Sequence, residues 1–156
     1  MEKKNGVLYL MCGLPGSGKS TLAKKVINSN PDIIYVSRDE IRYTMIEDQE
    51  HYFDREGDVY KEFCNQITRW LQEGKDVIAD ATHLTKNSRK KLLEHICKPS
   101  QIRCIYVTTS FQVCMERNGQ RKGITRVPDK VMYRMKNSFQ APSALEGFDL
   151  IYTVNT

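Results

Sequence analysis

Apolar runs of strand length alternate along the chain with longer segments that have helical periodicity. The runs predict five strands, at Val7–Cys12, Ile33–Val36, Asp76–Ala79, Ile102–Val107 and Asp149–Val154. The intervening segments predict helices at about Lys19–Asn28, Asp39–Glu47, Arg55–Glu73, Lys86–Cys97, Phe111–Asn118 and Asp129–Gln140. Because successive residues of the predicted strands are apolar, we expect burial on both faces of a mostly parallel sheet. The pattern therefore predicts an α/β fold with helices on both faces of the sheet.

Length and composition favour one soluble domain. The chain has 156 residues, 40% hydrophobic and 28% charged, and we expect residues 1–156 to form a single domain. No apolar stretch approaches the roughly 20 residues of a membrane span, and no leader sequence is evident, so we expect a cytoplasmic protein. The cysteines form no C-x-x-C pair and the histidines have no helical i, i+4 spacing, which disfavours a disulfide framework and a zinc site. The formal net charge of +5 slightly favours a phosphate-rich partner, and no protein partner is indicated.

The segment after the first predicted strand, Gly13 to Ser20, has the pattern G-x-x-x-x-G-K-S. Its position between a buried strand and a helix is the context that a phosphate-binding P-loop requires, so we expect a P-loop NTPase three-layer sandwich. Glycines let successive amide N–H groups converge on phosphate oxygens, and the following helix contributes its positive end. We expect Lys19 to reach the β- and γ-phosphates of ATP and the Ser20 hydroxyl to bind Mg²⁺. The predicted nucleotide-binding residues here are Gly13, Pro15, Gly16, Ser17, Gly18, Lys19, Ser20 and Thr21, although packing is the more ordinary role for Thr21.

Charged residues follow the second predicted strand, at the carboxyl edge where open α/β sheets bind ligands. Asp39 could accept the proton of an attacking hydroxyl, and Arg42, one helical turn later, could bind a phosphate of the acceptor. These roles are typical of a kinase, whereas the lack of an Asn-Lys-x-Asp motif disfavours a Ras-like GTPase. From the residues alone an alternative stays open, in which Asp39 caps its helix and Arg42 forms a surface ion pair.

Two further segments could complete the site. Asp80 follows the third predicted strand beside the P-loop, where it could hold a magnesium-bound water, orient a neighbouring residue or simply end the strand. The basic segment at about 117–127 predicts a mobile lid. Within it, Arg121 is the first candidate for stabilising transition-state charge, with Arg117 and Arg126 in support. The alternative is a solvated basic loop without a catalytic role.

Four blocks of the sequence resemble the 5′-kinase domain of phage-type polynucleotide kinases, within the small ATP-dependent P-loop kinases. They are GLPGSGKST at 13–21, SRDEIR at 37–42, VIADATHLTKNSR at 77–89 and ERNGQRKGITRVP at 116–128. The resemblance implies Asp39 as the general base, Arg42 as a contact to the acceptor phosphate and Arg121 as a lid arginine acting on ATP; we place Asp80 and Thr82 with the substrate-binding residues. It further implies transfer of a phosphoryl group from ATP, with Mg²⁺, to the 5′-hydroxyl end of a nucleic acid. Since the chain ends soon after the last predicted strand, we expect no appended 3′-phosphatase domain.

Two other functions fit the same residues. A kinase of a nucleoside, sugar or antibiotic hydroxyl could use Asp39 and Arg42 on any anionic acceptor, and a non-enzymatic scaffold would use ATP binding alone. We expect no aromatic stacking platform for single-stranded bases. The segment 139–148 either lines the adenine side of the site or forms a turn before the last strand. We interpret the basic residues of the fourth helix, Lys86, Arg89, Lys90 and Lys91, as a solvated face.

Overall fold

The computed structural model describes residues 3–46 and 54–156. Within these ranges, five parallel strands form one sheet in the order β2-β3-β1-β4-β5. The strands are β1 Leu8–Cys12, β2 Ile34–Ser37, β3 Val77–Asp80, β4 Ile102–Thr108 and β5 Leu150–Asn155. All the predicted strands are confirmed, with ends shifted by at most one residue. The central position of β1 places the loop that follows it at the middle of the sheet edge.

Helices connect the strands across both faces of the sheet. In the described ranges they are α1 Lys19–Ser29, α2 Arg38–Met45, α3 Glu56–Gln72, α4 Lys86–His95, α5 Phe111–Gly119 and α6 Asp129–Ser138, with 3₁₀ turns at Gly123–Thr125 and Ala144–Glu146. The predicted helices are confirmed in position, although α4 and α6 each end two residues early. The predicted end of the second helix, Glu47, lies outside the described residues. Helix α6 ends early because the backbone N–H of Gln140 donates to the carbonyl of Leu84.

Apolar side chains cover both faces of the central strands. On one face, Phe63 and Ile67 of α3 pack with Leu92 of α4, and on the other face Ala23 of α1 packs against Met11. All four residues of β3 are buried, as predicted for a strand between helix layers. The same expectation was wrong for the edge strand β5, where four of six residues are exposed. No helix in the described part of the chain is long and apolar enough to cross a membrane.

Arg89 is not part of a solvated face. Its side chain is fully buried, whereas the neighbouring lysines of α4 are exposed. The guanidinium donates to Glu146 over 2.7 Å, to the carbonyl of His83 over 2.7 Å and to the carbonyl of Gln140 over 2.9 Å. The interpretation was wrong because the partner that stabilises this buried charge, Glu146, lies 57 residues away in sequence. Through these bonds Arg89 holds much of the segment 139–148 as a turn before β5.

Candidate active site

The loop between β1 and α1 depends on glycine backbone conformations. Gly16 and Gly18 have φ angles of +79° and +92°, which L side chains rarely adopt. A Cβ at Gly16 would also lie 2.6 Å from the carbonyl oxygen of Cys114. At the start of the loop, the backbone N–H of Gly13 donates to the carbonyl of Thr82 over 3.1 Å. The loop therefore has the predicted position between strand and helix and is held against the end of β3.

Lys19 and Ser17 are buried within this loop. Their exposed fractions are 7% and 1%, and the Ser17 hydroxyl oxygen has no hydrogen-bond partner among the described residues. The first turn of α1 contains no acidic residue, so no carboxylate of that turn offsets the ammonium group and the positive helix end. A buried polar group without a partner requires an explanation, and an anion in the loop would supply one. The loop can therefore accept a polyphosphate.

Ser20 and Asp80 meet at the carboxyl end of β3. The Ser20 hydroxyl donates to Oδ2 of Asp80 over 2.7 Å, and the hydroxyl of Tyr35 donates to the same oxygen. Asp80 is 3% exposed, and its Oδ1 has no partner among the described residues. Hydroxyl and carboxylate oxygens are the ligand types that Mg²⁺ prefers. Ser20 and Asp80 thus fit an Mg²⁺ ion bound with a polyphosphate, with Asp80 beside the predicted metal ligand.

Tyr35 is a site residue that the sequence analysis missed. In the register of β2 and β3, Tyr35 pairs with Ile78 and Ser37 pairs with Asp80, so the Tyr35 side chain lies diagonal to Asp80 on one face. Burial, and then the charge of Asp80, raise the pKa of Tyr35 above its ordinary value. The phenol therefore stays protonated and serves as a donor. Its role depends on strand pairing, for which the sequence carries no local signal.

Helix α2 presents Asp39 and Arg42 together. The cap of this helix is Ser37, whose hydroxyl accepts the backbone N–H of Glu40 over 3.2 Å. The alternative role of Asp39 as the cap was therefore wrong, because the helix begins at Arg38. The Asp39 side chain is 59% exposed, and its Oδ1 lies 2.5 Å from Nη1 of Arg42. A carboxylate and a guanidinium thus share the first turns of α2.

Glu56, which the sequence analysis also missed, binds Arg42 from α3. Its Oε2 accepts from Nη2 of Arg42 over 3.0 Å, its Oε1 contacts Nε, and Arg38 lies 3.2 Å from the same carboxylate. Burial opposes ionisation of both partners. The mutual hydrogen bonds outweigh it, so the pKa of Arg42 is raised and the pKa of Glu56 is lowered. Glu56 lies 14 residues after Arg42 at the start of another helix, so no local pattern marks the pair.

The predicted lid connects α5 and α6. Arg117 of α5 reaches the P-loop, where its Nη1 lies 3.3 Å from the carbonyl oxygen of Gly16. Arg126 instead forms an exposed ion pair with Asp129, 3.6 Å long. Arg121 lies on the exposed part of the segment. The structure therefore brings Arg117 to the P-loop, whereas Arg126 pairs with α6.

The side chain of Asn118 joins the two ends of the lid segment. Its side chain is fully buried, its amide donates to the carbonyl of Val127 over 2.6 Å, and its Oδ1 accepts the backbone N–H of Val127 over 2.9 Å. The residues between Asn118 and Val127 are consequently exposed on a loop whose two ends are joined. This pairing defines the limits of the lid.

His83 fixes the backbone beside the P-loop. It has a positive φ of 46°, a conformation that is uncommon outside glycine and is found at strained functional sites. Its ring Nδ1 lies 2.6 Å from the carbonyl oxygen of Met11. Burial lowers its pKa to about 4, so the ring is neutral at pH 7 and Nδ1 carries the proton as the donor. His83 therefore supports the end of β1 rather than supplying charge to the site.

Residues 8–142 match the AAA domain family AAA_33. The chain belongs to this family. Every predicted site residue, from Gly13 to Arg126, lies inside the part of this AAA_33 chain that matches. No curated protein matches the chain in sequence.

Solved structures with the same fold include kinases of different acceptors. A candidate kinase from Chloroflexus aurantiacus has a TM-score of 0.73 at 18% identity, covering 98% of this chain and 86% of that one. A gluconokinase from Sinorhizobium meliloti has a TM-score of 0.66 at 19% identity, covering 98% and 83%. A fungal RNA kinase has a TM-score of 0.69 at 13% identity, covering 98% and 76%. At these identities the similarity establishes the P-loop kinase fold of this AAA_33 protein.

Proposed function

We propose that this protein is an ATP-dependent kinase that transfers the γ-phosphoryl group to the 5′-hydroxyl end of a nucleic acid. The observation that carries the proposal is the Asp39–Arg42 pair, 2.5 Å apart, on the helix that follows β2 at the P-loop edge of the sheet. A carboxylate can take the proton of an acceptor hydroxyl, and a guanidinium can bind a phosphate. The first nucleotide of a 5′-hydroxyl end carries both groups, the hydroxyl on C5′ and the phosphate on O3′.

The P-loop residues hold the donor. Backbone N–H groups of the loop, such as those of Gly16 and Gly18, and the Lys19 ammonium bind the β- and γ-phosphates of ATP. Mg²⁺, when bound at Ser20 beside Asp80, neutralises charge on these phosphates. Arg117, which already contacts Gly16, lies against the nucleotide side of the loop. These residues position the γ-phosphorus for attack.

Asp39 acts on the acceptor, and the lid acts on the transferring phosphoryl group. The Asp39 carboxylate accepts the proton of the 5′-hydroxyl while the hydroxyl oxygen bonds to the γ-phosphorus. The bond from this phosphorus to the bridging oxygen breaks, and ADP leaves. Arg121 approaches when the lid closes about its Asn118–Val127 base and stabilises the charge of the transferring group.

A small anionic acceptor is the second candidate, because the Asp39–Arg42 pair would also suit a hydroxyl acid or a nucleotide. A gluconokinase and an RNA kinase share this fold to a similar extent, so the fold supports a small-molecule acceptor as much as it supports a nucleic acid. The two candidates differ in what Arg42 contacts. A polynucleotide 5′ end, like the nucleoside 3′-monophosphate that mimics it, carries a 3′-phosphate on the same sugar as the attacked hydroxyl, whereas gluconate and a free nucleoside do not.

Transfer of label from γ-labelled ATP in the presence of Mg²⁺ tests the proposal. The acceptors are 5′-hydroxyl RNA and DNA oligonucleotides, a nucleoside, its 3′-monophosphate and gluconate. We expect labelled oligonucleotides and nucleoside 3′-monophosphate, with much weaker labelling of the nucleoside that lacks the phosphate. Label on gluconate or the free nucleoside, with none on the oligonucleotides, would establish the second candidate instead.

A further inference from the structure

A cavity beside the P-loop is walled by aromatic rings that have no part in the chemistry described above. It has a volume of about 370 Å³, within the range of about 300–1,000 Å³ that is usual for ligand pockets. Gly13 and Leu14 of the P-loop form one side. Tyr106 of β4, Phe111 at the start of α5 and Phe139 at the end of α6 supply the rings. No aromatic platform was expected from the sequence, because these rings come from three separate elements.

The rings are held in place by one another and by neighbouring side chains. Tyr106 and Phe139 are stacked, with centroids 5.7 Å apart and an interplanar angle of 29°. Phe111 lies edge-on to Tyr133 at 5.2 Å, and the Lys136 ammonium lies 4.6 Å from the Phe111 ring centroid. The three cavity rings are only partly buried. Their remaining surface is available to a planar partner.

The cavity lies on the opposite side of β1 from the acceptor residues. Strands β3 and β4 flank β1, so Tyr106 on β4 lies on one side of β1, while Asp39, which follows β2, lies on the other side. Gly13, Leu14 and Ser17 of the P-loop line the cavity, so the cavity borders the loop that would hold the γ-phosphate of ATP. An acceptor whose hydroxyl lies above β1, near the P-loop, can therefore place its base above β4.

A second cavity, of about 400 Å³, does not fit the same ligand. It lies between α2 and α3 and is lined by the carboxylates Glu40 and Glu62, which would repel a phosphate backbone. Its wall contains one aromatic residue, Tyr35, whose hydroxyl is bonded to Asp80. The aromatic cavity is the better site for a planar base carried by an anionic chain.

Building on the proposed function, we propose that the cavity of Tyr106, Phe111 and Phe139 binds the base of the 5′-terminal nucleotide of the acceptor. Aromatic stacking recognises the π-face that every base carries, so this contact favours nucleic acid without strong sequence preference. An open-chain sugar acid has no planar face for these rings. The cavity therefore separates acceptors that carry a base from sugar acids such as gluconate.

The test compares two 5′-hydroxyl oligonucleotides that differ only in the terminal base, one normal and one with a tetrahydrofuran abasic nucleotide. Both retain the hydroxyl and the 3′-phosphate. We expect kcat/KM with ATP and Mg²⁺ to favour the base-bearing oligonucleotide by about 5- to 150-fold, the range for one stacked base. Phe139→Leu keeps an apolar side chain but removes the ring, and it should remove most of this preference while leaving the KM for ATP unchanged. Tyr152→Leu is the matched control, because Tyr152 is on edge strand β5 and pairs with Ile105 on the other face of the sheet.

Each outcome is decisive. Equal use of the two oligonucleotides by the wild-type protein, or an unchanged preference in Phe139→Leu, overturns the inference alone. A rise in the KM for ATP without loss of the acceptor preference assigns the cavity to adenine and also overturns it. If the wild-type protein labels neither oligonucleotide but labels a small-molecule acceptor, the proposed function has failed and the inference with it.

Discussion

The two sides of the candidate site differ in how they are held. On the P-loop side, Lys19 and Asp80 are 7% and 3% exposed and are set by backbone conformation and strand pairing. On the acceptor side, Asp39 is 59% exposed, and Arg42, which is 13% exposed, forms ion pairs with both Asp39 and Glu56. The first arrangement is formed before a ligand binds, whereas the second must exchange its ion pairs for contacts to substrate. We therefore expect substitutions on the two sides to affect different kinetic steps.

Lys19→Ala should have the largest effect, because it removes the buried cation of the preformed side. We expect label transfer to fall by about 10³-fold or more and ATP binding to weaken. Kinetics with γ-labelled ATP and a titration of ATP binding measure the two effects. Lys24→Ala, at an exposed position of the same helix, should change neither by more than about 2-fold. Near-normal transfer by Lys19→Ala would remove the P-loop from the mechanism.

Asp39→Asn should show most clearly that the P-loop side and the acceptor side have different roles. It keeps the size of the side chain but cannot accept the hydroxyl proton, so kcat should fall by about 10²- to 10⁴-fold while ATP affinity stays within about 2-fold. Asp32→Asn, at an exposed position before β2, is the control. A non-enzymatic scaffold predicts the reverse pattern, with full function in Asp39→Asn and loss only in Lys19→Ala.

Substitutions of the lid residues Arg121 and Arg126 should lower kcat by different amounts. Arg121→Ala should lower kcat by about 10²-fold if Arg121 stabilises the transferring phosphoryl group. Arg126→Ala should change kcat by less than about 3-fold, because Arg126 is paired with Asp129 at the surface. Single-turnover rates at saturating ATP measure both variants. Equal losses would show that the pair with Asp129 opens during the reaction.

Glu56→Gln should have the smallest effect, which is a small change in the free energy of unfolding and in its dependence on pH. Arg42 lowers the folded-state pKa of Glu56 below its ordinary value of 4.5, so the stabilisation is present above about pH 4.5 and is lost as pH falls through the folded-state pKa. At pH 7 the variant should be less stable by about 1 kcal/mol or less, since the pair is partly exposed. Urea denaturation from pH 7 to pH 3 should show this difference shrinking with acid. Glu94→Gln, which breaks an exposed ion pair with Lys90 on α4, should change stability very little at any pH in this range.

Helix and strand positions followed closely from the sequence because their signals are local. The apolar runs ended where β2 and β3 end, within one residue, and the glycine pattern of residues 13–18 marked the loop. Arg89 was misinterpreted because it lies among three exposed lysines of α4. In sequence it cannot be told apart from these lysines, although its side chain is buried. Its buried partner Glu146 follows from tertiary packing.

The chain by itself determined the order of strands and helices, the P-loop and the chemical types of the residues that border it. Hydrophobic periodicity and backbone preference act over a few neighbouring residues, so both can be read directly from the sequence. Tertiary structure alone decided that Tyr35 donates to Asp80, that Glu56 binds Arg42 and that aromatic rings from β4, α5 and α6 meet beside Leu14. These contacts depend on which strands are neighbours and how helices pack, and residues far apart in sequence carry no local signal of either.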